Sequence, residues 1–440
     1  MMKYDSYKDS GIDWLSNVPS HWNTYRLDWT GFLIRGNTGF KKDELQDKGE
    51  YIALQYGKTY QVDEINDAFQ FFVNGKFFKK DQIVNQGDVI FISTSETIED
   101  LGHSCFYNRN DLGLIGGEQI LFKPNRKLVC GKFLYYYSKN FSAELRKYAT
   151  GLKVYRFSID DLKQIFIAIP SLDEQTAIAE YLDTKTQAID QRVSLLEKKI
   201  GYYQELRKSL INETVTKGLD KNVKLKDSGI DWIGQIPEHW EVKRIKDIFS
   251  TLAGGTPSTQ NQEYWIGNIP WIPSGKVQNN DVLIESVEEY ISDLALRESS
   301  TKIAKKNSVL IALTGATCSN IGYLTFDTTI NQSIVALYPQ KRNQTLSRFY
   351  FYFLMSAKEK IRTYMTGGAQ GGINQEDVRF LDIVYPSKEE QEEIVKFLDA
   401  KLDTIAKIIT NIQTQITTLK ELRKTLINDV VTGKIKVSHE

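Results

Sequence analysis

Histidine and cysteine are scarce in this chain, four and three in 440 residues. His21, His103, His239 and His439 include no pair at metal-ligand spacing, and Cys105, Cys130 and Cys318 form no CxxC. With no HExxH and no acidic cluster of the metal-binding kind, no metal site is expected. Three scattered cysteines do not make a disulfide framework and suit a reducing compartment. Also missing are a GxSxG nucleophile elbow, a GxxxxGKS/T phosphate loop and the Asn/Asp-Pro-Pro-aromatic motif of enzymes that methylate a flipped base. No catalytic residue is assigned, and the chain is read as non-catalytic by itself. No apolar run approaches the eighteen or so residues of a membrane span. The opening MMKYDSYKDSGIDW has no leader core, so a cytoplasmic location and no membrane partner are expected. Net charge is absent too, since Lys+Arg and Asp+Glu are both 56. That balance excludes a uniformly basic protein but not a local phosphate-binding groove.

What is present is repetition. DSGIDWLSNVPSHW at Asp9–Trp22 returns as DSGIDWIGQIPEHW at Asp227–Trp240, with nine of fourteen positions identical. ELRKSLINETVT from Glu205 matches ELRKTLINDVVT from Glu421, and IPSLDEQTAIAEYLD from Ile169 matches YPSKEEQEEIVKFLD from Tyr385. The offset is 218 for the first pair and 216 for the others, so a unit of about half the chain is duplicated. The expected domains are 1–170, a helical region 171–220, a second domain 221–386 and a second helical region 387–440.

Both helical regions carry a seven-residue stride: Leu182, Ile189, Leu196, Tyr203 and Leu210 in the first, Leu398, Ile405, Ile412, Leu419 and Leu426 in the second. Ile178, Val193, Ile200 and Leu206 fill the adjacent stripe, as do Ile394, Ile409, Ile416 and Leu422. Uninterrupted heptads without proline predict coiled-coil packing. The matching registers predict that the two helices pack on each other, antiparallel, about a pseudo-twofold axis. Ser171 and Ser387 are expected N-caps, with Glu174 and Glu390 at the third helical position.

Between them, short runs such as YIALQYG, DVIFIS, SVLIALTG and SIVALYP alternate with Gly- and Asn-containing turns and predict twisted β domains. Each domain gains one helix, GKFLYYYSKNFSAELRKYATG or SRFYFYFLMSAKEKIRTYMTGG, expected to stop at Gly151 or Gly367. TGGAQGGINQED (366–377) follows a helix, so a dinucleotide fold is excluded by context. Its counterpart TGLKVYRFSIDD (150–161) carries Lys153 and Arg156. Two readings stand for this loop: an anion-facing site, or a turn closing the domain.

The paired SGIDW…HW openings, GGTPSTQNQEYWIGNIPWIPSGKV (254–277), INQSIVALYP (330–339) and the P-S-x-x-E-Q helix starts at 170–175 and 386–391 together resemble the specificity subunits of type I restriction-modification systems. The resemblance covers essentially the whole chain. It implies an α+β fold of two β-rich target-recognition domains related by pseudo-twofold symmetry, separated by two long helices forming an antiparallel intramolecular coiled coil. Each domain would read one half of an asymmetric, bipartite double-stranded DNA target. The helices would set the spacing and dock two methyltransferase subunits, with two restriction subunits completing the complex. This chain would bind no cofactor; S-adenosylmethionine, ATP and Mg2+ would belong to the partners. The first half shows no clear counterpart of GGTPS…YW…PWI, reading instead IRGNTGFKKDELQDKGEYIALQYGKTY.

Polar and basic side chains near strand ends are the candidates for base or phosphate contact. In the first domain these are Lys41, Lys42, Tyr56, Lys58, Ser93, Thr94, Ser95, Lys153, Tyr155 and Arg156. In the second they are Thr256, Ser258, Trp271, Ser274, Lys276, Thr314, Gln370 and Asn374. Trp14, Pro19 and Trp22, with Trp232, Pro237 and Trp240, are expected to dock each half onto the paired helices. Two other readings share the duplicated plan: the specificity chain of a type IIB-like system, and a non-catalytic coiled-coil scaffold with protein-binding β domains.

Overall fold

The computed structural model describes residues 2–341, 343–366 and 371–437. Its contacts divide into two compact units, Met1–Glu197 with Thr414–Glu440, and Lys198–Gln413.

In the first unit a five-stranded sheet runs, in spatial order, Gly31–Arg35, Gln119–Pro124, Val89–Ile92, Ser104–Tyr107 and Glu64–Ile65. A four-stranded sheet runs Phe72–Val73, Tyr51–Leu54, Gly113–Ile115 and Ile83–Val84. Alternation along the strands explains how both faces of the larger sheet are covered. Val89, Phe91 and Phe122 join the cluster that includes Phe133 and Phe141 of helix α1 (Gly131–Leu145). Ile90 and Leu121, one residue out of phase, join Ile52, Leu54 and Ile115 of the smaller sheet. Side chains of a strand point alternately to opposite faces, so a fully apolar VIFI belongs between two layers.

The second unit repeats this order. Its five-stranded sheet is Phe249–Ala253, Ile334–Pro339, Val309–Ala312, Ile321–Leu324 and Asn280–Val282. Its four-stranded sheet is Glu289–Ile291, Ile269–Ile272, Thr328–Ile330 and Ile303–Ala304. Val309 and Ile311 pack with Phe349 and Phe353, while Leu310 and Ala312 pack with Ile272 and Ile330.

The long helices are α2 (Leu172–Lys217) and α4 (Lys388–Val431), and the second unit's own helix is α3 (Ser347–Ser356). In the first unit, Arg423 pairs with Asp190 at 3.1 Å and Lys420 with Glu197 at 3.7 Å. Numbering rises along α2 as it falls along α4, so these segments run antiparallel. Leu426, Ile427, Val430 and Val431 share the cluster of Ile178 and Leu182. In the second unit, Ile211 and Val215 share a cluster with Leu398, Leu402 and Ile405, against which Tyr203 and Leu210 pack. Among the seam positions Leu182, Leu398, Ile405, Ile412 and Leu426 are buried, and Ile189, Leu196, Tyr203, Leu210 and Leu419 are half-buried.

Two expectations need correction. Leu206 and Leu422, expected in the stripe beside the seam, are each 50% exposed. The buried stripe follows positions four residues after each seam residue, such as Val193, Leu402 and Ile416, whereas Leu206 and Leu422 stand three after and turn outward. Helix α1 ends at Leu145 and continues as a 3-10 turn over Arg146–Tyr148, so Gly151 does not stop it. Gly367 lies outside the described residues.

Each domain is tied to its long helix twice. The opening motif buries Trp22, whose indole N–H donates to Glu174 at 3.1 Å while His21 lies 2.8 Å from the same carboxylate. Ser387 and Glu390 complete a reciprocal cap at the start of α4, the Glu390 N–H reaching the Ser387 hydroxyl at 3.2 Å. The adjacent glutamines are fully buried: Gln175 accepts from the Cys130 N–H, and Gln391 from the Leu346 N–H, both at 2.8 Å. The second tie is ionic. Lys132 of α1 pairs with Glu64 of the sheet edge and, at 3.1 Å, with Asp183 of α2. Arg348 of α3 pairs likewise with Asp281 and, at 3.2 Å, with Asp399 of α4. Trp14 and Trp232 instead contact the domain helices, at 6.0 Å from Tyr137 and 5.5 Å from Phe353.

Candidate nucleic-acid interface

In the first unit the loops at one set of strand ends converge. Residues 93–95 leave the central strand and are met by a hairpin from the segment after α1. Thr94 pairs with Arg156 and Ser95 with Tyr155, antiparallel. The hairpin closes on itself through Thr150 N–H to Arg156 C=O at 3.0 Å and Arg156 N–H to Thr150 C=O at 2.9 Å. Phe157 N–H reaches Ser93 C=O at 3.1 Å, and Ser93 N–H reaches Glu118 C=O at 3.1 Å. Arg156 lies 3.9 Å from the Glu118 carboxylate and keeps its side chain 61% exposed. Lys153 is exposed at the tip.

Tyr56 sits beside this hairpin, its hydroxyl 3.4 Å from Thr94 C=O and its ring 5.9 Å from Tyr60. Gln55 caps the short turn Tyr56–Thr59, and Lys58 extends over the Phe71 ring at 4.5 Å. Lys41 and Lys42 are exposed on a turn whose Glu44 contacts Lys76 at 3.3 Å, against the smaller sheet. The Lys41 N–H and the nearby Lys76 hold the Glu44 carboxyl below its ordinary value.

The structure therefore brings together Tyr56, Thr94, Ser95, Tyr155 and Arg156. It buries Ser93, Thr94 and Ser95, correcting their place from contact groups to the frame under the hairpin.

In the second unit the same frame recurs with different chemistry. Thr314 pairs with Gly372, and Thr366 exchanges hydrogen bonds with Gly372 at 3.0 and 3.1 Å. Leu313 N–H reaches Ser333 C=O at 2.8 Å. Gly372 thus stands where Arg156 does, and Ser333 where Glu118 does. Thr314 is exposed; Gln370 lies outside the described residues.

Beside this frame, Thr256 bonds Gln332, and Trp271 is buried with its N–H on Gly255 C=O at 3.1 Å. Trp265 donates to Ser258 C=O at 3.1 Å and meets Trp271 edge-on at 5.0 Å. Thr256, Trp265, Ile266 and Trp271 line a cavity of about 490 Å³. Trp271 therefore lies in the wall of that cavity. Ser274 and Lys276 form a short turn in which Lys276 pairs with Glu288. Asn374 caps the helix Gln375–Arg379, accepting from Asp377 N–H at 2.9 Å, and Ser158 caps the matching helix Ile159–Lys163. The Asn374 side chain is thus committed to a capping bond.

A counterpart of GGTPS does exist in the first domain. Gly36 and Gly254 occupy matching places, where an added Cβ would lie 1.8 Å from Gly116 C=O and 2.1 Å from Asn331 C=O. The signal was RGNT against AGGT at offset 218, too short to stand out. Among the described residues, no group of three His, Cys, Asp or Glu could hold a metal ion, and no helix is long and apolar enough to cross a membrane.

Comparison with known proteins gives a single pattern. A family model described as type I restriction modification DNA specificity domain matches twice, over residues 19–198 and 237–418. The putative type I restriction enzyme MjaX specificity subunit of Methanocaldococcus jannaschii is 26% identical over 358 residues, covering 80% of this chain and 79% of that protein. The MjaVIII specificity subunit of the same organism is 23% identical over 434 residues, covering 96% and 95%. The EcoKI specificity subunit of Escherichia coli strain K12 is 22% identical over 426 residues, covering 92% and 88%. Among solved structures, one from work on assembly and conformational transition of a type I R-M system aligns with a TM-score of 0.73 at 17% identity, covering 95% of this chain and 99% of that one. The HsdS subunit of Thermoanaerobacter tengcongensis aligns at 0.57 and 17% identity, covering 95% and 98%.

Proposed function

This chain belongs to the type I restriction-modification DNA specificity family, as a non-catalytic specificity subunit with two recognition domains, and we propose that each domain reads one half of a split, asymmetric duplex target. The observation that carries this reading is one frame bearing two chemistries: Arg156 beside Glu118 in the first domain, Gly372 beside Ser333 in the second. Cations such as Lys153 and Arg156 grip phosphate, whereas polar groups on the rims of the frames discriminate base edges. Different side chains on matching frames read different bases, so the two half-sites differ.

The long helices hold the two readers at a fixed spacing and dock two methyltransferase subunits, to which two restriction subunits are added. Methyl transfer from S-adenosylmethionine and ATP- and Mg2+-dependent cleavage belong to those partners. Single-molecule sequencing of adenine methylation in cells carrying the system tests this. A split motif should vanish when this chain is deleted and return, altered in one half only, when one domain is exchanged. Persistence of every adenine mark after deletion would refute the reading.

A further inference from the structure

The hairpin Thr150–Arg156 carries at its tip a residue the candidate contacts omit. Leu152 is 98% exposed, and Val154 beside it is exposed as well. The tip is not a slack loop. Gly151, at φ +103°, is packed so closely that a Cβ would lie 2.1 Å from Val154 C=O. The hairpin base is fixed by the Thr150–Arg156 exchange, by the ladder to Thr94 and Ser95, and by the buried Phe157. Lys153 stands between Leu152 and Val154, Arg156 follows at the hairpin base, and the Glu118 carboxylate 3.9 Å from Arg156 is half-exposed. An apolar tip interleaved with cations fits a polyanion with apolar groups inside its groove.

We propose that this hairpin enters the DNA major groove as a two-stranded ribbon and that Leu152 reads a thymine through its 5-methyl group. The inference rests on the reading of the chain as a DNA-specificity subunit. The major groove is wide enough for a two-stranded ribbon, and the thymine methyl is its apolar landmark. A pre-formed hairpin reaches it with little ordering cost. Lys153 and Arg156 then lie toward the phosphates that line the groove. The corresponding sequence of the second domain, Gly-Gly-Ala-Gln at 367–370, holds no large apolar residue. Thymine-methyl reading is therefore assigned to one half-site only.

The test uses the full chain assembled with its methyltransferase partners and duplexes bearing the host's split methylation motif, each thymine replaced in turn by uracil. The wild-type complex should lose about fourfold in affinity at one thymine, confined to one half of the motif, the equivalent of one buried methyl group. Leu152→Ala, at a solvent-exposed position, should bind the thymine duplex with a similar loss and show no further loss on uracil. Equal binding of every uracil duplex by the wild type would overturn the inference, as would a uracil penalty that survives in L152A. A defect of L152A in joining the methyltransferase, with DNA affinity intact, would overturn it in favour of a protein partner. Equal binding of motif and scrambled duplexes by the wild type would remove the functional reading, and this inference with it.

Discussion

The indole N–H of Trp240 donates to the Glu390 carboxylate at 3.0 Å, across 150 residues of chain. The same oxygen lies 2.8 Å from His239, and the other oxygen caps Ser387. One carboxylate thus joins the opening motif of the second domain to the first turn of α4. Trp22 and Glu174 repeat the bond at 3.1 Å in the first unit. The duplicated His-Trp is a clasp on the duplicated Glu.

Because Trp240 is fully buried, removing its acceptor leaves an unpaired N–H. Glu390→Ala should destabilise the protein by about 1–3 kcal/mol. Glu390→Gln, which keeps an acceptor, should cost less, and Trp240→Phe should narrow the difference between the two Glu390 variants, leaving the part that His239 and Ser387 supply. Denaturant midpoints on the four proteins check this; a Glu390→Ala penalty that persists in full on the Trp240→Phe background would separate the two residues.

The same site gives a pH dependence. Burial works against the Glu390 charge, but hydrogen bonds from Trp240, His239 and Ser387 outweigh it and hold the carboxyl below its ordinary value. A depressed folded-state value stabilises the protein above the unfolded value, and that contribution is lost as pH falls through the folded one. The stability gap between wild type and Glu390→Gln should therefore be full at neutral pH and close below about pH 4.3, the ordinary glutamate range. Urea midpoints measured from pH 7 to about pH 3 test it. A gap that widens on acidification would reverse the sign.

Arg156 and Glu118 lie 3.9 Å apart with opposite charges, and the proposed reading gives them opposing effects on DNA binding. Arg156→Ala should weaken binding by the assembled methyltransferase and reduce the slope of log affinity against log salt by about one. Glu118→Gln should strengthen binding, since it removes a like charge facing phosphate. Titrations across a salt series decide both, and an unchanged slope in Arg156→Ala would take Arg156 away from the backbone.

The duplication, the two long helices and their caps were legible because each is written locally and twice. Ser387 and Glu390 stand three residues apart, and the heptads need only their own segment. The hairpin was legible in outline: the loop that is basic in one copy and glycine-rich in the other marked the segment whose Tyr155 and Arg156 pair with Ser95 and Thr94. What escaped was long-range. Ser93, Thr94 and Ser95 look like exposed strand-end hydroxyls until a hairpin some sixty residues later covers them. Leu206 and Leu422 satisfy an apolar stripe on paper, and only the partner segment's position shows that they face away. The bond from Trp22 to Glu174 spans 152 residues, which no local pattern reveals.

Gly36 and Gly254 test whether the two domains share a frame at the level of single atoms. Each lies flat against a backbone carbonyl from the turn that follows the central strand of the smaller sheet, Gly116 or Asn331. A methyl group there cannot be absorbed by rotating a side chain, because the obstacle is backbone. Gly36→Ala and Gly254→Ala should each destabilise the protein by about 1–3 kcal/mol through overpacking. Each should also disturb the reading loop of its own domain. In methylation sequencing, Gly36→Ala should relax one half of the split motif and Gly254→Ala the other. Alanine at Gly39, which has open space around the missing Cβ, is the control and should leave both halves intact. If Gly36→Ala and Gly254→Ala relax the same half, the two glycines do not hold equivalent places in two independent readers.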